Sequence, residues 1–127
     1  MSISHVRQVA LHVDDLDRAV SFYRDVVGLR FVARFDPPGL AFFDIAGTRL
    51  LLEAAAPASL VYLGVDDVLA MTDRLRAAGV TIESEPQVIH VDEDGLFGAP
   101  EEAEEMAFFR DSEANLVGLA GRRPIGS

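Results

Sequence analysis

Hydrophobic and polar residues alternate along residues 6–13, VRQVALHV, with the period of two that predicts a β-strand. One face of this strand carries Val9, Leu11 and Val13, and the other carries Gln8, Ala10 and His12. The period then changes to that of a helix, which Asp14 or Asp15 can cap and Gly28 can end. The apolar positions of the helix are Leu16, Ala19, Val20, Tyr23 and Val27.

The rest of the first half reads as a strand (29–36), a turn (37–39) and a hairpin (40–45 and 49–55). The same order then returns. The second half predicts a strand at 59–65, a helix capped by Asp66 or Asp67 and ended by Gly79, extended segments at 80–86 and 87–91, and a hairpin at 106–111 and 115–121. A frayed tail is expected over 122–127.

Matching positions recur at a slowly growing offset. Val13 and Val65 lie 52 residues apart, and the Phe-Phe pairs at 42–43 and 108–109 lie 66 apart, because the acidic segment 92–105 lengthens the second half. This segment is expected to be a solvated loop, or a lid. The repeat predicts an α+β fold in one domain, residues 1–127. Two tandem βαβββ modules, about 5–56 and 58–121, form a curved mixed sheet with a concave pocket and helices outside.

Composition narrows the classes of function. The 127-residue chain is half hydrophobic, enough for a core, and its formal net charge of −10 disfavours nucleic acid and acidic membranes as partners. It has no cysteine, and all 11 basic residues are Arg, so thiolate and Schiff-base chemistry are excluded. No signal peptide or membrane-spanning run is recognisable, and a cytoplasmic protein is predicted.

The paired modules, with HVDDLDRAVSFYRDVVGL in the first and MAFFRDSEANLVGL near the end, resemble the vicinal oxygen chelate superfamily. That group includes glyoxalase I, bleomycin-resistance proteins, extradiol dioxygenases and methylmalonyl-CoA epimerase. The resemblance implies a homodimer and, in the enzymatic branches, a divalent metal held by four side chains. The four ligand positions fall on Gln8, Leu51, Leu60 and Gly118. Since Leu cannot coordinate a metal, we expect no tightly bound ion.

Six residues are candidates for contacting a small-molecule ligand in the pocket. They are Gln8, His12, Arg49, Glu53, Tyr62 and His90. His12 is either an acid, base or ligand contact, or a histidine bonded to nearby backbone. Arg49 meets an anionic ligand, pairs with Glu53 or faces solvent. The pocket prediction places Gln8, His12, Glu53 and Tyr62 in one cavity.

Three functions stay open at this point. The first is a binding protein for a small organic molecule, or an enzyme without the family metal. The second is a metal-dependent lyase or isomerase of the glyoxalase I or epimerase type, with Gln8, Glu53 and a histidine as ligands. The third is an accessory domain that assembles with a partner. The predicted partners are therefore a small molecule and a second copy of the chain, and no cofactor is predicted.

Overall fold

A computed structural model describes residues 4–125 of the chain. The chain divides into two compact units. The first runs up to Ser59 and also contains Asp111–Asn115, and the second comprises Leu60–Arg110 and the chain from Leu116 onward. Each unit holds one four-stranded mixed sheet and one helical segment, so the predicted α+β class and the two-module organisation are confirmed.

The first unit has the order strand, helix, strand, strand, strand. Its elements are β1 (Gln8–His12), α1 (Leu16–Ser21), a π-helical continuation (Phe22–Val27), β2 (Arg30–Phe35), β3 (Leu40–Ile45) and β4 (Thr48–Glu53). The sheet order is β1-β4-β3-β2, in which β1 and β4 are parallel and the other pairs antiparallel.

The second unit repeats this topology. Its elements are β5 (Val61–Gly64), α2 (Val68–Ala77), β6 (Ile82–Asp92), β7 (Glu102–Arg110) and β8 (Leu116–Pro124). The order β5-β8-β7-β6, with a parallel β5–β8 pair, is that of the first sheet. No helix within residues 4–125 is long and apolar enough to span a membrane.

The repeated sequence signals perform the same task in both units. Asp15 caps α1 by accepting the Arg18 N–H at 3.1 Å, and Asp67 caps α2 by accepting the Ala70 N–H at 2.9 Å. Gly28 and Gly79 then end the helical segments with φ of 85° and 87°, which a residue with a Cβ adopts only at a cost. The second aspartate of each DD pair is therefore the one that caps.

Burial follows the predicted alternation in both sheets. In the first, Leu11, Phe43, Leu50 and Leu52 are almost completely buried, and in the second Leu63, Phe109, Val117 and Leu119 are buried. The neighbouring positions along each strand lie on the opposite face, here called the open face of that sheet. The open faces carry the candidate side chains.

The structure corrects two expectations at the end of the second unit. Residues 102–105, predicted within a loop, form the start of β7 and pair with β8 through Pro124. The supposed frayed tail therefore contributes Arg122 and Arg123 to a strand. The loop is reduced to a connection over 93–101, and four of the seven acidic residues of 92–105 form ion pairs with Arg122 or Arg123.

Candidate functional site

The open face of the first sheet brings together two of the predicted residues. Gln8 and Arg49 are register partners in the parallel β1–β4 pair, and Arg49 Nε donates a hydrogen bond to Gln8 Oε1 at 3.0 Å. Arg49 therefore bonds Gln8 rather than Glu53. Phe42 packs edge to face on Phe35, with ring centroids 6.0 Å apart, and supplies an aromatic surface to the same sheet.

His12 lies at the end of β1, beside Glu53, and has both ring nitrogens directed at oxygen atoms. Nδ1 lies 2.9 Å from the Ala54 carbonyl and 3.2 Å from the Ala56 carbonyl, and Nε2 lies 2.8 Å from Asp14 Oδ1. Carbonyl and carboxylate oxygens accept hydrogen bonds, so this arrangement favours the protonated ring, in which both nitrogens are donors. The hydrogen bond to Asp14 and those to the two carbonyls raise the pKa of His12 above 6.5.

The hydrogen bonds of the protonated His12 ring stabilise the folded protein, and raising the pH is expected to remove this contribution to stability. Because the pKa is raised in the folded state, the contribution is complete below pH 6.5 and disappears as the pH rises through the folded pKa. An NMR titration of the His12 ring should give a pKa above 6.5, and Asp14→Asn should bring it down. Asp17→Asn, in the same helix start but paired with Arg34, is the matched control and should leave the pKa unchanged.

The turn 111–115, which belongs to the first unit, was not recognised in the sequence as a functional element. Glu113 is fully buried and accepts the backbone N–H groups of Asp14 and Asp15 at 2.8 Å each and the Arg18 guanidinium at 2.8 and 3.0 Å. The carboxylate thus binds the free N–H groups that precede α1. The sequence RDSEAN indicated a turn, but the role of Glu113 as a hydrogen-bond acceptor depends on residues some 95 positions earlier.

Asp111 completes this attachment. Its carboxylate accepts the Tyr23 hydroxyl at 2.6 Å and the backbone N–H groups of Glu113 and Asn115, and Asn115 Nδ2 donates to the His12 carbonyl at 2.7 Å. Burial and the neighbouring carboxylate raise the pKa of Tyr23, so its hydroxyl remains a donor. The turn therefore fixes the end of β1 and the start of α1.

Tyr62 dominates the open face of the second sheet. Its ring meets Phe108 edge to face at 5.8 Å and covers Gly118, its register partner on β8. A Cβ placed on Gly118 would lie 2.7 Å from Tyr62 Cδ2 and 3.1 Å from Phe108 Cε1. The absence of a side chain at position 118 is what allows the two rings to meet over the strand.

Gly118→Ala is expected to destabilise the protein by about 1–3 kcal/mol, because the added methyl group forces the Tyr62 ring away. In a Tyr62→Ala background the same substitution should cost far less. A double-mutant cycle by urea denaturation measures this coupling. Equal costs in the two backgrounds would show that the ring does not occupy this position.

Two cavities lie on the open side of the second sheet. The first, of about 400 Å³, is lined by Ile89, His90, Phe97, Glu104, Met106 and Arg122. The second, of about 560 Å³, is lined by residues that include Tyr62, Gly64, Ala120, Glu104 and Arg122. The predicted residues His90 and Tyr62 thus line adjoining cavities that share Glu104 and Arg122. That Gln8, His12 and Glu53 line one cavity with Tyr62 stays a prediction.

Arg122 lines both cavities and bonds the acidic residues around them. It was not identified from the sequence because residues 122–127 were assigned to a frayed tail. Its guanidinium donates to Asp92 at 2.8 Å, to Glu102 at 3.0 Å, to Glu104 at 3.3 Å and to the Ala99 carbonyl at 3.0 Å. Asp92 is buried and also accepts the N–H groups of Leu96 and Phe97. These N–H bonds and Arg122, working against desolvation, hold the pKa of Asp92 near 2.

Comparison with known proteins identifies the family. The model of the Glyoxalase/Bleomycin resistance protein/Dioxygenase superfamily matches residues 2–117. The chain belongs to this superfamily. Among curated members, lactoylglutathione lyase of Haemophilus influenzae is 33% identical over an alignment that covers 60% of this chain and 70% of the relative.

Solved structures of the superfamily share the fold over nearly the whole chain. Lactoylglutathione lyase from Agrobacterium tumefaciens is 26% identical with a TM-score of 0.71, covering 95% of this chain and 96% of its own. TnmS3, an antibiotic-binding protein from Streptomyces sp. CB03234, is 28% identical with a TM-score of 0.69, covering 97% and 99%. A lyase and a binding protein are thus similar to this chain to about the same degree, in sequence identity and in TM-score.

The four positions that the family resemblance assigns to metal ligands carry side chains that do not fit a divalent ion. In the first unit Gln8 bonds Arg49, and Leu51 is a buried hydrocarbon side chain. In the second, Leu60 is an exposed hydrocarbon side chain, and Gly118 has no side-chain donor and is covered by Tyr62. Within residues 4–125 no group of three or more His, Asp or Glu side chains is arranged to hold a metal ion. Leu51 and Leu60 cannot coordinate, so we derive no chemistry through a metal.

Proposed function

We propose that this protein binds a small organic molecule against the open face of its second sheet and does not use the metal-dependent chemistry of the superfamily. The observation that carries the proposal is the Tyr62 ring on Gly118. A position that holds a metal ligand in the enzymatic branches instead supports an aromatic pair, Tyr62 with Phe108. Aromatic surfaces with a few polar groups are typical of small-molecule sites.

The cavities of the second unit support a binding role. Their volumes, about 400 and 560 Å³, lie in the range of ligand sites. Large apolar side chains stand exposed beside them, with Tyr62 51% and Phe97 72% accessible. Burying such surface is favourable, so a ligand with an apolar body would gain affinity there. The similarity to an antibiotic-binding protein agrees with this proposal.

A screen of uncharged and charged aromatic compounds, measured by thermal shift and by amide NMR, tests the binding proposal. We expect stabilising compounds to shift the amides of residues that line the two cavities, and Tyr62→Ala to weaken the binding of those compounds that shift the amides around Tyr62 and Phe108. Ser84→Ala, on the edge strand next to Phe108, is a control for general perturbation of the sheet. A protein stabilised by none of the compounds would contradict the proposal.

Metal analysis tests the second part of the proposal, that the protein does not use a metal. We expect protein purified without chelator to contain no stoichiometric nickel, zinc, manganese or iron, and added nickel or zinc to leave its melting temperature unchanged. The alternative is a metal-dependent lyase or isomerase, which the 33% identity to a lactoylglutathione lyase favours. Stoichiometric metal that is lost on Glu53→Ala would support that alternative and refute ours.

A second copy of the chain is the partner we propose. The first sheet ends in β2, an edge strand that exposes Phe31, Val32 and Phe35 at 37%, 48% and 52%. Unpaired edges and exposed apolar residues favour self-association. Sedimentation equilibrium at tens of micromolar, an ordinary range for protein assembly, should give a dimer, which Phe35→Glu should weaken. A monomer throughout this range would contradict it.

A further inference from the structure

The 400 Å³ cavity of the second unit combines an apolar wall with one carboxylate, Glu104, that can accept further hydrogen bonds. Ile89, Phe97 and Met106 supply the apolar wall, and the Phe97 ring stands perpendicular to the His90 ring at 6.1 Å. Phe97 and Ile89 are 72% and 54% exposed, so a ligand lying on them would remove a large apolar surface from water.

The polar side of the cavity has an excess of negative charge. Arg122 is the cation of its cluster, and Asp92, Glu102 and Glu104 are three carboxylates within 3.3 Å of its guanidinium. One positive and three negative charges leave a net charge of −2. Four of the five guanidinium N–H groups are already directed at acceptors, so Arg122 has little capacity left to bind an anion.

Glu104 is the carboxylate of this cluster that both lines the cavity and has acceptor capacity to spare. Its contact with Arg122 is the longest of the three, at 3.3 Å, whereas Asp92 has two backbone N–H groups in addition to Arg122. Glu104 also lines both cavities, and its side chain is 23% exposed. A carboxylate can accept several hydrogen bonds, so Glu104, which lines the cavity, can accept another from a ligand.

We infer that this cavity selects aromatic or apolar molecules that carry a protonated amine, with Glu104 as the counter-ion of the amine and Phe97 as the surface for the ring. The inference rests on the proposed binding function and names its ligand class. An ammonium group donates a charge-assisted hydrogen bond to Glu104 and is attracted by the surplus negative charge. An anion of the same shape is repelled.

Three probes with one ring system test this class: 2-naphthylmethylamine, 2-naphthylmethanol and 2-naphthylacetate. Isothermal titration at low salt should show the amine binding about tenfold more tightly than the alcohol, the effect of one charge-assisted hydrogen bond, and the acetate more weakly than both. The advantage of the amine should shrink at high salt. Amide NMR should place the bound ring at residues 89–90, 97 and 106.

Glu104→Gln should abolish the advantage of the amine and leave the affinity for the alcohol unchanged. Glu105→Gln, the adjacent carboxylate that contacts Arg123, is the matched control and should retain the advantage. Phe97→Ala should weaken all three probes, because it removes the ring surface. Thermal unfolding of each variant checks that the second unit remains folded.

Equal binding of amine, alcohol and acetate at this cavity would overturn the ligand class while leaving the proposed binding function intact. The same holds if none of the three binds but uncharged compounds from the wider screen do. If neither the probes nor the screen yields a ligand, both the inference and the proposed function fail. An amine advantage that survives Glu104→Gln would overturn the role of Glu104.

Discussion

Replacing Glu113 by Gln is expected to lower the free energy of unfolding by about 2–4 kcal/mol, as for the loss of a buried, hydrogen-bonded ion pair. The carboxylate is fully buried and binds the Asp14 and Asp15 N–H groups and both sides of the Arg18 guanidinium fork. A glutamine would present an amide NH₂ to at least one of these donors. Asp25→Asn, in an exposed pair with Arg24, is the control and should change the urea midpoint far less.

The same carboxylate makes the protein sensitive to acid. Burial alone would raise the pKa of Glu113, but Arg18, the N–H groups of Asp15 and Asp14, and the Ser112 hydroxyl together lower it from 4.5 to about 2. Because the folded pKa is lowered, the contribution is complete above pH 4.5 and is lost as the pH falls from 4.5 through 2. It amounts to roughly 3 kcal/mol. Urea unfolding at pH 7 and pH 3 should show a loss that Glu113→Gln largely removes.

The second large effect is expected for Arg122→Met. Removing the guanidinium leaves three carboxylates together, one of them the buried Asp92, so the melting temperature should fall by about 10 °C. Arg123→Met, next in the strand and 3.5 Å from Glu105, should cause a much smaller fall. A similar fall for both variants would mean that Arg122 acts only as part of the strand.

Amide hydrogen exchange shows which part of the protein is destabilised by Arg122→Met. The Leu96 and Phe97 N–H groups bond Asp92, so their exchange should accelerate in Arg122→Met while the amides of β3 and β4 stay protected. If the Leu96 and Phe97 amides kept their protection, Asp92 would hold the connection 93–101 without Arg122.

The sequence was sufficient for the features that local signals encode. Each DD pair supplies a helix cap, Gly28 and Gly79 provide left-handed φ, and period-two alternation separates Leu11 from Gln8 and His12. These depend on a few neighbouring residues, and their recurrence in the second half reinforced each one. The family resemblance also assigned one ligand position to Gly118, and the structure explains why this residue is a glycine: the Tyr62 ring lies where a side chain would be.

The missed features depend on partners far away in the chain. Glu113 bonds residues about 95 positions earlier, and Arg122 bonds Asp92 30 positions earlier, so neither partner was visible in a local window. The run of acids at 92–105 also indicated a solvated loop, since nothing nearby could neutralise it. Strand pairing of β7 with β8 brings Arg122 to that charge, which no periodicity reveals.

The docking of the turn 111–115 on the first unit also bears on the order in which the protein matures. The ribosome completes β1, α1 and the strands up to Ser59 long before it adds Asp111, the acceptor of the Tyr23 hydroxyl 88 residues back. Until then Tyr23 lacks its buried partner, and the Asp14 and Asp15 N–H groups lack Glu113. The first unit, although most of it is synthesised first, reaches its final packing only once the turn 111–115 is available, so its folding depends on residues that are synthesised after β5, β6 and β7.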